Sequence, residues 1–253
     1  MDVAQFLSFV GFAALAAYVQ TVTGFAFGLI MVGGVALIGV MSPVDAAAVV
    51  SALSLVNGLQ MITRGWRRVA WREFGWVTLG SLPMVVVGIW LLNWMASERA
   101  DLMRLTLGAM IILASLQLAL PSRPGPATPG AAACLLFGAA SGFSGGLFSA
   151  PGPPLVYLFY RTALPLATIR ETLVTAYAAT SVLRLVIVAF GEMRPPASVW
   201  LGLLAFPAVM AATAAARRWP PRIAPRVLRL VVFALLALTG LALALPALIR
   251  MAG

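Results

Sequence analysis

The sequence predicts an all-α membrane protein that crosses the bilayer several times. Hydrophobic residues make up 62% of the 253-residue chain and charged residues only 9%, whereas an ordinary soluble domain carries about 25% charged residues. Apolar runs of about 20 residues, each long enough to cross the bilayer core, recur along almost the whole chain. These runs do not alternate between apolar and polar residues, so the backbone satisfies its hydrogen bonds in helices and not in a barrel.

The charged residues are distributed as expected for a multi-pass protein of the inner membrane. All 17 basic residues are arginine, and the formal net charge is +10. The arginines stand in short segments between apolar runs, a pattern that the positive-inside rule explains without nucleic acid as a partner. Cys134 is the only cysteine, which excludes an internal disulfide. Asp2 is the only charge before the first apolar run, so no cleavable signal peptide is predicted.

Four short matches, in order along the chain, indicate two related halves. Thr23–Gly28 matches Ser141–Gly146, and later matches begin at Pro43 and Pro165, at Leu82 and Phe206, and at Leu102 and Val227. The offset between matched positions drifts only from 118 to 125 residues. The predicted division is a first transmembrane repeat at residues 1–121, a proline-containing linker at 122–129 and a second transmembrane repeat at 130–253.

Each predicted half opens with an apolar segment that fits neither one helix nor two full crossings. Phe6–Met41 would be about 54 Å long as one helix, but the hydrocarbon core is about 30 Å thick. Ala131–Tyr160 poses the same problem. We therefore predict a broken or re-entrant hairpin in each segment, with breaks at Thr23–Gly28 and at Ser141–Gly146. Three ordinary spans follow each hairpin: 44–63, 74–96 and 102–120 in the first half, and 166–190, 198–216 and 227–249 in the second.

The arginine distribution predicts that the two repeats are inverted. The basic segment Arg64–Arg72 follows the first ordinary span of its half, whereas Arg217–Arg226 follows the second ordinary span of the other half. Both segments should face the cytoplasm, so equivalent positions of the two halves must lie on opposite sides. Hairpins that return to their own side satisfy this condition, and they place both termini in the periplasm.

Hydroxyl and glycine residues at the predicted breaks form a candidate anion site. A helix that is broken inside the membrane presents free N–H groups and the positive end of its dipole. Such an end suits an anion, although small residues there would equally allow close helix packing. The candidates on the two hairpins are Thr21, Thr23, Gly24, Phe25, Gly28, Ser141, Gly142, Phe143, Ser144, Gly145 and Gly146.

Further candidates lie on the span that follows each hairpin. Arg170, Tyr177 and Arg184 are seven residues apart and share one helix face. Arg184 lies inside an apolar run, where an arginine either lines a pathway or extends its side chain to the membrane surface. The polar residues of the matching span and two weaker candidates complete the set: Asn57, Gln60, Gln20 and Gln117.

The residue types that are missing exclude several kinds of chemistry. The chain contains no histidine, which excludes a serine triad and a histidine-ligated metal centre. It has no phosphate-binding loop of the Walker type, and its seven acidic residues stand in loops and near the ends of spans. No catalytic residue, metal or cofactor is therefore predicted, and no residue pattern predicts an oligomeric state.

The residues around the predicted breaks resemble the TauE/SafE family of sulfite and organosulfonate exporters. The similarity is carried by Val22–Ile30, by Ser141–Gly146 and by Pro151, and the order of the spans matches over essentially the whole chain. The resemblance implies a secondary transporter that exports small anions such as sulfite or sulfoacetate, and a coupling proton is compatible with it. A carrier or channel for another small solute is an alternative. A non-transporting membrane scaffold is the alternative from a different class, and it would have no need of broken helices.

Overall fold

A computed structural model of the chain describes residues 2–119, 128–190, 197–219 and 225–252, and all regular elements in these ranges are helices. The first half contains α1 (Val3–Thr23), α2 (Phe27–Ile38), α3 (Pro43–Gly65), α4 (Trp71–Glu98) and α5 (Ala100–Ala119). The second half contains α6 (Ala131–Phe148), α7 (Gly152–Phe159), α8 (Leu166–Phe190), α9 (Ala197–Leu203), α10 (Phe206–Arg218) and α11 (Pro225–Ala252). A short 3₁₀ turn, Trp66–Arg68, joins α3 to α4. Most of the linker predicted at 122–129 lies outside the described residues.

The helices confirm a polytopic membrane protein. Eight helical segments of the described chain are long and apolar enough to cross a bilayer. Large apolar side chains cover their outer faces, since Trp90 is 67% exposed, Leu136 70% and Leu230 71%. Such a surface suits lipid better than water. α4 also exposes tryptophans near both ends, Trp71 and Trp94, which are about 35 Å apart along the helix, the separation expected for rings in the two headgroup layers.

The first hairpin breaks where the sequence predicts. α1 ends at Thr23, and Gly24 caps it in the left-handed region with φ +82°. Ala26 also has φ +82°, and α2 starts directly after it. α2 has 12 residues and rises about 18 Å, which is too short to cross a hydrocarbon core about 30 Å thick. A scaffold would not need such a break, so this hairpin favours a transporter.

The second hairpin breaks later than predicted. α6 runs without interruption through Ser141–Gly146 and ends at Phe148, so the predicted position of this break is wrong. The turn lies at Ser149–Pro151 instead, with Ser149 in the left-handed region at φ +53°. The glycines of α6 pack on α4, which stabilises the helix across them, and the prolines after Phe148 lack the N–H groups needed to extend it. α7 has 8 residues and is also too short to cross.

The span predicted at 198–216 consists of two helices. α9 ends at Leu203 and α10 begins at Phe206, but Val199–Arg218 as a whole is long and apolar enough to cross the bilayer, so the predicted span is confirmed and only its helix is interrupted. Pro207 explains the break, because its ring displaces the carbonyl group of Leu203 and it has no N–H group to donate. The two residues between the helices donate their N–H groups three residues back, at 3.1 and 3.2 Å, as in a tight turn.

One end of the helix bundle collects arginines, and we call it the arginine end. The Gln60 carbonyl oxygen, near the end of α3, accepts a hydrogen bond from Arg217 Nη1 at 2.7 Å. This contact brings the turn Trp66–Arg68, which follows α3, to the same end as Arg217 and Arg218 of α10. The described parts of the two basic segments therefore lie on one side, as the sequence predicts. Residues 220–224 of the second segment lie outside the described residues.

The starts of α1 and α3 meet at the opposite end. Gly202 of α9 packs against Val49 near the start of α3, and a β-carbon on Gly202 would lie 3.5 Å from the Phe9 ring of α1. At the arginine end, Tyr18 of α1 donates its hydroxyl to the Trp219 carbonyl oxygen at 3.4 Å. α1 and α3 therefore run in the same direction, and α2 leads the chain back between them.

Contacts between the helices fix the directions of the remaining ones. α6 lies parallel to α4, because its glycines meet successive backbone positions of α4 in ascending order. α8 starts at the arginine end, where Glu171 packs against Gly65. α11 ends beside the start of α5, where Arg250 pairs with Asp101 at 3.0 Å. Thus α1, α3, α5 and α9–α10 run toward the arginine end, whereas α4, α6, α8 and α11 run away from it.

Candidate anion site at the two helix breaks

The two helix breaks pack against each other. Gly28, in the first turn of α2, faces the Ser149 carbonyl group, and a β-carbon on Gly28 would overlap that group. A β-carbon on Gly152 would lie 3.7 Å from Phe25 Cβ. Segments far apart in the chain therefore meet in one place, which we call the break region (residues 24–28 and 149–152).

Ser149 fixes the second break to α3. Its hydroxyl donates to the Ala47 carbonyl oxygen at 2.6 Å, and its Oγ lies 2.8 Å from Ser51 Oγ. Because the Ser149 proton is used by Ala47, Ser51 is the donor in the serine pair. The sequence analysis missed both serines.

Residues that follow α7 hold the first break in place. Tyr160 donates its hydroxyl to the Thr23 carbonyl oxygen at 2.6 Å, and its ring meets the Phe25 ring edge-on at 6.3 Å. Arg170 of α8 covers Gly24, where a β-carbon would lie 2.9 Å from Arg170 Cγ. Glycine suits position 24 both for its left-handed backbone and for this close contact.

The threonine hydroxyls of α1 donate to their own helix. Thr21 Oγ1 and Thr23 Oγ1 each donate to the carbonyl oxygen four residues earlier, at 2.7 Å. This is the usual way in which a hydroxyl inside a helix is satisfied. In this conformation the two hydroxyls therefore offer an incoming anion no free proton.

Asn57 ties α1, α3 and α10 together in a buried polar network. The residue is 0% exposed, and its Oδ1 accepts from Gln20 Nε2 at 2.9 Å. Its Nδ2 donates to Thr213 Oγ1 at 2.7 Å and to Thr21 Oγ1 at 3.2 Å. The sequence indicated Asn57 but missed Thr213, whose only signal is a hydroxyl in an otherwise apolar stretch of α10.

Two other glutamine candidates lie apart from this network. Gln60 is near the arginine end, where its Nε2 donates to the Met210 carbonyl oxygen at 3.3 Å. Gln117 Nε2 donates to the Pro153 carbonyl oxygen at 2.7 Å and so supports the start of α7. Neither glutamine contacts the other, and only Gln117 touches a hairpin.

Gly142 and Gly146 of α6 serve close helix packing. A β-carbon on either glycine would overlap backbone carbonyl oxygens of α4. The contact is mutual, because the Phe143 carbonyl oxygen lies against Gly88 of α4. Small residues that let two membrane helices approach closely are the general explanation of such glycines. Packing, the alternative that the sequence left open, is therefore what the structure shows at Gly142 and Gly146.

The other candidates on α6 fold the second turn back onto the helix. Ser141 Oγ donates to the Pro151 carbonyl oxygen at 2.7 Å, and Ser144 Oγ donates to the Ser141 carbonyl oxygen at 3.1 Å. A β-carbon on Gly145 would lie 3.1 Å from Pro151 Cβ. These contacts fix the turn at 149–151 and use the two hydroxyl protons.

Arg184 lies inside the bundle and caps α6. It is 2% exposed, so its side chain does not extend to the membrane surface. Its Nη1 donates to the Gly145 carbonyl oxygen at 3.1 Å and also to that of Gly146. Both carbonyl groups belong to the last turn of α6, at the negative end of the helix dipole. The structure thus shows Arg184 holding the helix end before the second break, a contact that the sequence did not predict.

Three buried donors of α8 have no hydrogen-bond partner among the described residues: Arg184 Nε at the end of α6, and Tyr177 Oη and Arg170 Nε beside the break region. Tyr177 Oη is buried and unpaired, and it lies 3.6 Å from the β-carbon position of Gly152. Arg170 Nε is likewise buried and unpaired, while its Nη2 is 3.6 Å from Glu171 Oε1. Buried polar groups are rarely left unpaired, and an exception points to a water, an ion or a ligand.

The N-terminus of α2 adds backbone donors to the same region. The first N–H groups of a helix have no partner within it and form the positive end of its dipole. In α2 they belong to Phe27–Leu29, which contains no proline. α7 is poorer in donors, because Pro153 and Pro154 lack N–H groups. The donors for an anion are therefore centred on α2 and on the Arg170 and Tyr177 side chains.

Comparison with known proteins assigns the family. The chain matches the family model for the sulfite exporter TauE/SafE over residues 9–243. It belongs to the TauE/SafE family. A TauE/SafE relative from Cupriavidus necator, the probable sulfite/organosulfonate exporter TauE, is 34% identical over 230 residues, which cover 91% of this chain and 90% of the relative. No solved structure shows a significant match. As a TauE/SafE member the chain is a membrane transporter of the exporter type and not an enzyme.

Proposed function

We propose that this transporter exports a small anion of the sulfite or organosulfonate class, such as sulfoacetate. The relative from Cupriavidus necator, a probable sulfite/organosulfonate exporter, supports the substrate class. The structural observation that carries the proposal is the pair of unpaired donors, Arg170 Nε and Tyr177 Oη, at the break region. A sulfonate or sulfite group presents several acceptor oxygens and a negative charge. A guanidinium group, a phenol and a helix N-terminus are donors of matching chemistry.

In the proposed orientation the arginine end faces the cytoplasm. The protein then lies in the cell inner membrane with both termini in the periplasm. The support is the gathering of Trp66–Arg68, Arg217 and Arg218 at one end of the bundle, because cytoplasmic segments carry the excess of basic residues. Export then begins at the arginine end.

The architecture that we propose is a pair of inverted repeats, 1–121 and 130–253, joined by the linker at 122–129. Equivalent helices run in opposite directions, as α1 and α6 do. Equivalent packing pairs also recur, since α4 packs on α6 as α10 packs on α1, while α3 packs on α8 and α5 on α11. Transporters built in this way bind their substrate where the broken helices of the two repeats meet.

We further propose that a proton is the coupling ion. Glu171 is 4% exposed, and its Oε2 has no hydrogen-bond partner among the described residues. Its Oε1 pairs with Arg170 Nη2 at 3.6 Å. An anion that binds Arg170 competes with this pair and leaves the Glu171 carboxylate without its ion-pair partner. A pH-sensitive dye inside proteoliposomes measures whether anion flux moves protons. Anion flux without any change of internal pH would contradict the proposal that a proton is the coupling ion.

Anion flux in proteoliposomes tests the function itself. The panel contains sulfite, sulfoacetate, sulfolactate and, as a carboxylate control, acetate. We expect wild-type protein to move at least one of the sulfur anions faster than acetate, and Arg170→Gln to lose most of that flux. Rates equal to those of protein-free liposomes for all three sulfur anions would contradict the proposal.

A further inference from the structure

A polar cavity lies at the arginine end, outside the break region. It has a volume of about 610 Å³ and opens between α3 and α10. This size is within the range of about 300–1,000 Å³ that is usual for sites of small molecules. Its lining residues are Gln60, Thr63, Ala214, Arg217 and Arg218.

The two arginines of the cavity are held in place by neighbouring groups. Arg217 Nη1 donates to the Gln60 carbonyl oxygen at 2.7 Å, and the Arg218 guanidinium lies 5.3 Å from the centroid of the Trp219 ring. No carboxylate pairs with Arg218 among the described residues. Two cations that line one cavity produce a positive potential, which raises the local concentration of anions.

Polar side chains recur on α3 between the cavity and the break region. Polar residues recur at every third position of this helix: Ser51, Ser54, Asn57, Gln60 and Thr63. Gln60 and Thr63 line the cavity. Asn57 is one turn further along and donates to α10 and α1, and Ser51 pairs with the turn of the second hairpin. Polar groups of α3 are therefore present at the cavity, at the place where the two breaks meet and between them.

We propose that the cavity is a loading site, which binds the oxyanion group of the transported anion before it moves along α3 to the break region. The proposal rests on the proposed function, and its ligand class is a small sulfonate or sulfite-type oxyanion. Arg217 and Arg218 supply the charge, whereas the Thr63 hydroxyl donates to the Gln60 carbonyl oxygen at 3.1 Å. The phosphate headgroup of an anionic lipid has the same chemistry, so the experiment must separate these two sources.

The first measurement compares Arg218, which lines the cavity, with Arg67, an arginine of the same end that does not. Arg67 also lies at the arginine end and over a tryptophan, 5.4 Å from the Trp66 ring centroid, but it does not line the cavity. Sulfoacetate uptake into inside-out vesicles, whose cytoplasmic face is outward, gives the KM for loading. We expect Arg218→Gln to raise this KM about tenfold, as for the loss of one charge-assisted hydrogen bond, with kcat nearly unchanged. Arg67→Gln should leave the KM unchanged, and equal KM values for both variants and wild type would overturn the proposal.

The second measurement detects binding without transport. Ala214→Cys places a thiol in the cavity of a Cys134→Ala background, and a neutral maleimide reports its accessibility. Millimolar sulfoacetate should slow the modification in nanodiscs of phosphatidylcholine alone. If the modification is slowed only when phosphatidylglycerol is present and sulfoacetate has no effect, the cavity binds a lipid headgroup and the proposal is overturned.

The two measurements also separate this proposal from the proposed function. Protection by sulfoacetate in a protein that transports no sulfur anion would keep the binding site and reject the function. Normal transport with no protection and no change of KM in Arg218→Gln would keep the function and reject the loading site.

Discussion

Tyr160 donates its hydroxyl to the Thr23 carbonyl oxygen across 2.6 Å, so the residue that closes the second hairpin holds the helix end that precedes the break of the first. The two hairpins are therefore connected by a hydrogen bond as well as by the contact between Gly28 and Ser149. A movement of either break that separates Tyr160 from Thr23 leaves a carbonyl group at the end of α1 without this donor, which costs free energy inside the membrane.

Removal of this hydroxyl should weaken the structure measurably. Tyr160→Phe keeps the ring but loses the hydrogen bond, which should lower the free energy of unfolding by about 1 kcal/mol. The thermal unfolding midpoint in detergent measures this. Tyr157→Phe is the matched control, because the Tyr157 ring stacks on Phe137 at 5.5 Å and keeps that contact without the hydroxyl. An equal shift of the unfolding midpoint in both variants would show that the hydrogen bond to Thr23 adds no measurable stability.

Tyr177→Phe should separate binding from stability. The Tyr177 hydroxyl is buried without a partner among the described residues, so its removal should leave the unfolding midpoint unchanged or raise it. If the hydroxyl donates to the anion, the same change should raise the KM for the transported anion by about five- to tenfold. Transport kinetics and thermal unfolding of the same preparation measure both. An unchanged KM would remove Tyr177 from the site.

Arg184→Gln should act mainly on stability. The substitution removes the cation that holds the Gly145 and Gly146 carbonyl groups at the end of α6, with an expected loss of about 1–3 kcal/mol in the free energy of unfolding. Arg184→Lys keeps a charge at the negative end of the helix dipole and should lose less. Unfolding midpoints rank the variants, and KM should stay near the wild-type value in the folded fraction. A raised KM with a normal midpoint would instead place Arg184 in the anion site.

Alanine at Gly142 should damage the packing of α6 on α4. Its β-carbon would overlap the Ser81 carbonyl group, and overpacking of this kind costs about 1–3 kcal/mol. Gly75→Ala on α4 is the control, because no atom lies within 4 Å of its β-carbon position, and alanine is the better helix former. Yield and unfolding midpoint in detergent should fall for Gly142→Ala only. Equal yields and equal unfolding midpoints for the two variants would mean that the close contact between α4 and α6 does not stabilise the protein.

Accessibility labelling tests the proposed orientation. In a Cys134→Ala background, Arg67→Cys and Arg218→Cys should react with a membrane-impermeant maleimide from the cytoplasmic side only. Val3→Cys, near the N-terminus, should react only from the periplasmic side. Intact cells and inside-out vesicles provide the two sides. Labelling of both arginine positions from the periplasm would reverse the orientation and with it the direction of export.

The first hairpin could be predicted because the length of its apolar segment can be read from the sequence and compared with the thickness of the bilayer core. Phe6–Met41 was expected to contain a break, and α1 and α2 together occupy Val3–Ile38. The second break was misplaced because the glycines of Ser141–Gly146 are equally suited to a turn and to contact with another helix. Only the position of α4 decides between the two, and that position is a tertiary feature.

The sequence could predict those residues of the candidate site that recur with the period of an α-helix. Arg170 and Tyr177 lie two turns apart on one helix, and the structure brings both to the breaks. Ser51 and Ser149 could not be found in this way, because they are 98 residues apart in the chain. A serine in an apolar helix commonly donates to its own backbone, so its sequence context does not reveal such a partner.

The glycine contacts between α4 and α6 decide which parts of the molecule can move as rigid bodies. Gly80 and Gly88 of α4 and Gly138, Gly142 and Gly146 of α6 bring the two backbones into direct contact, although α4 is encoded in the first half of the chain and α6 in the second. A motion that slid one half of the chain past the other would have to pull this contact apart. α4 and α6 therefore form one packed unit from distant parts of the chain, and two fragments cut between α5 and α6 would each carry only one side of the contact.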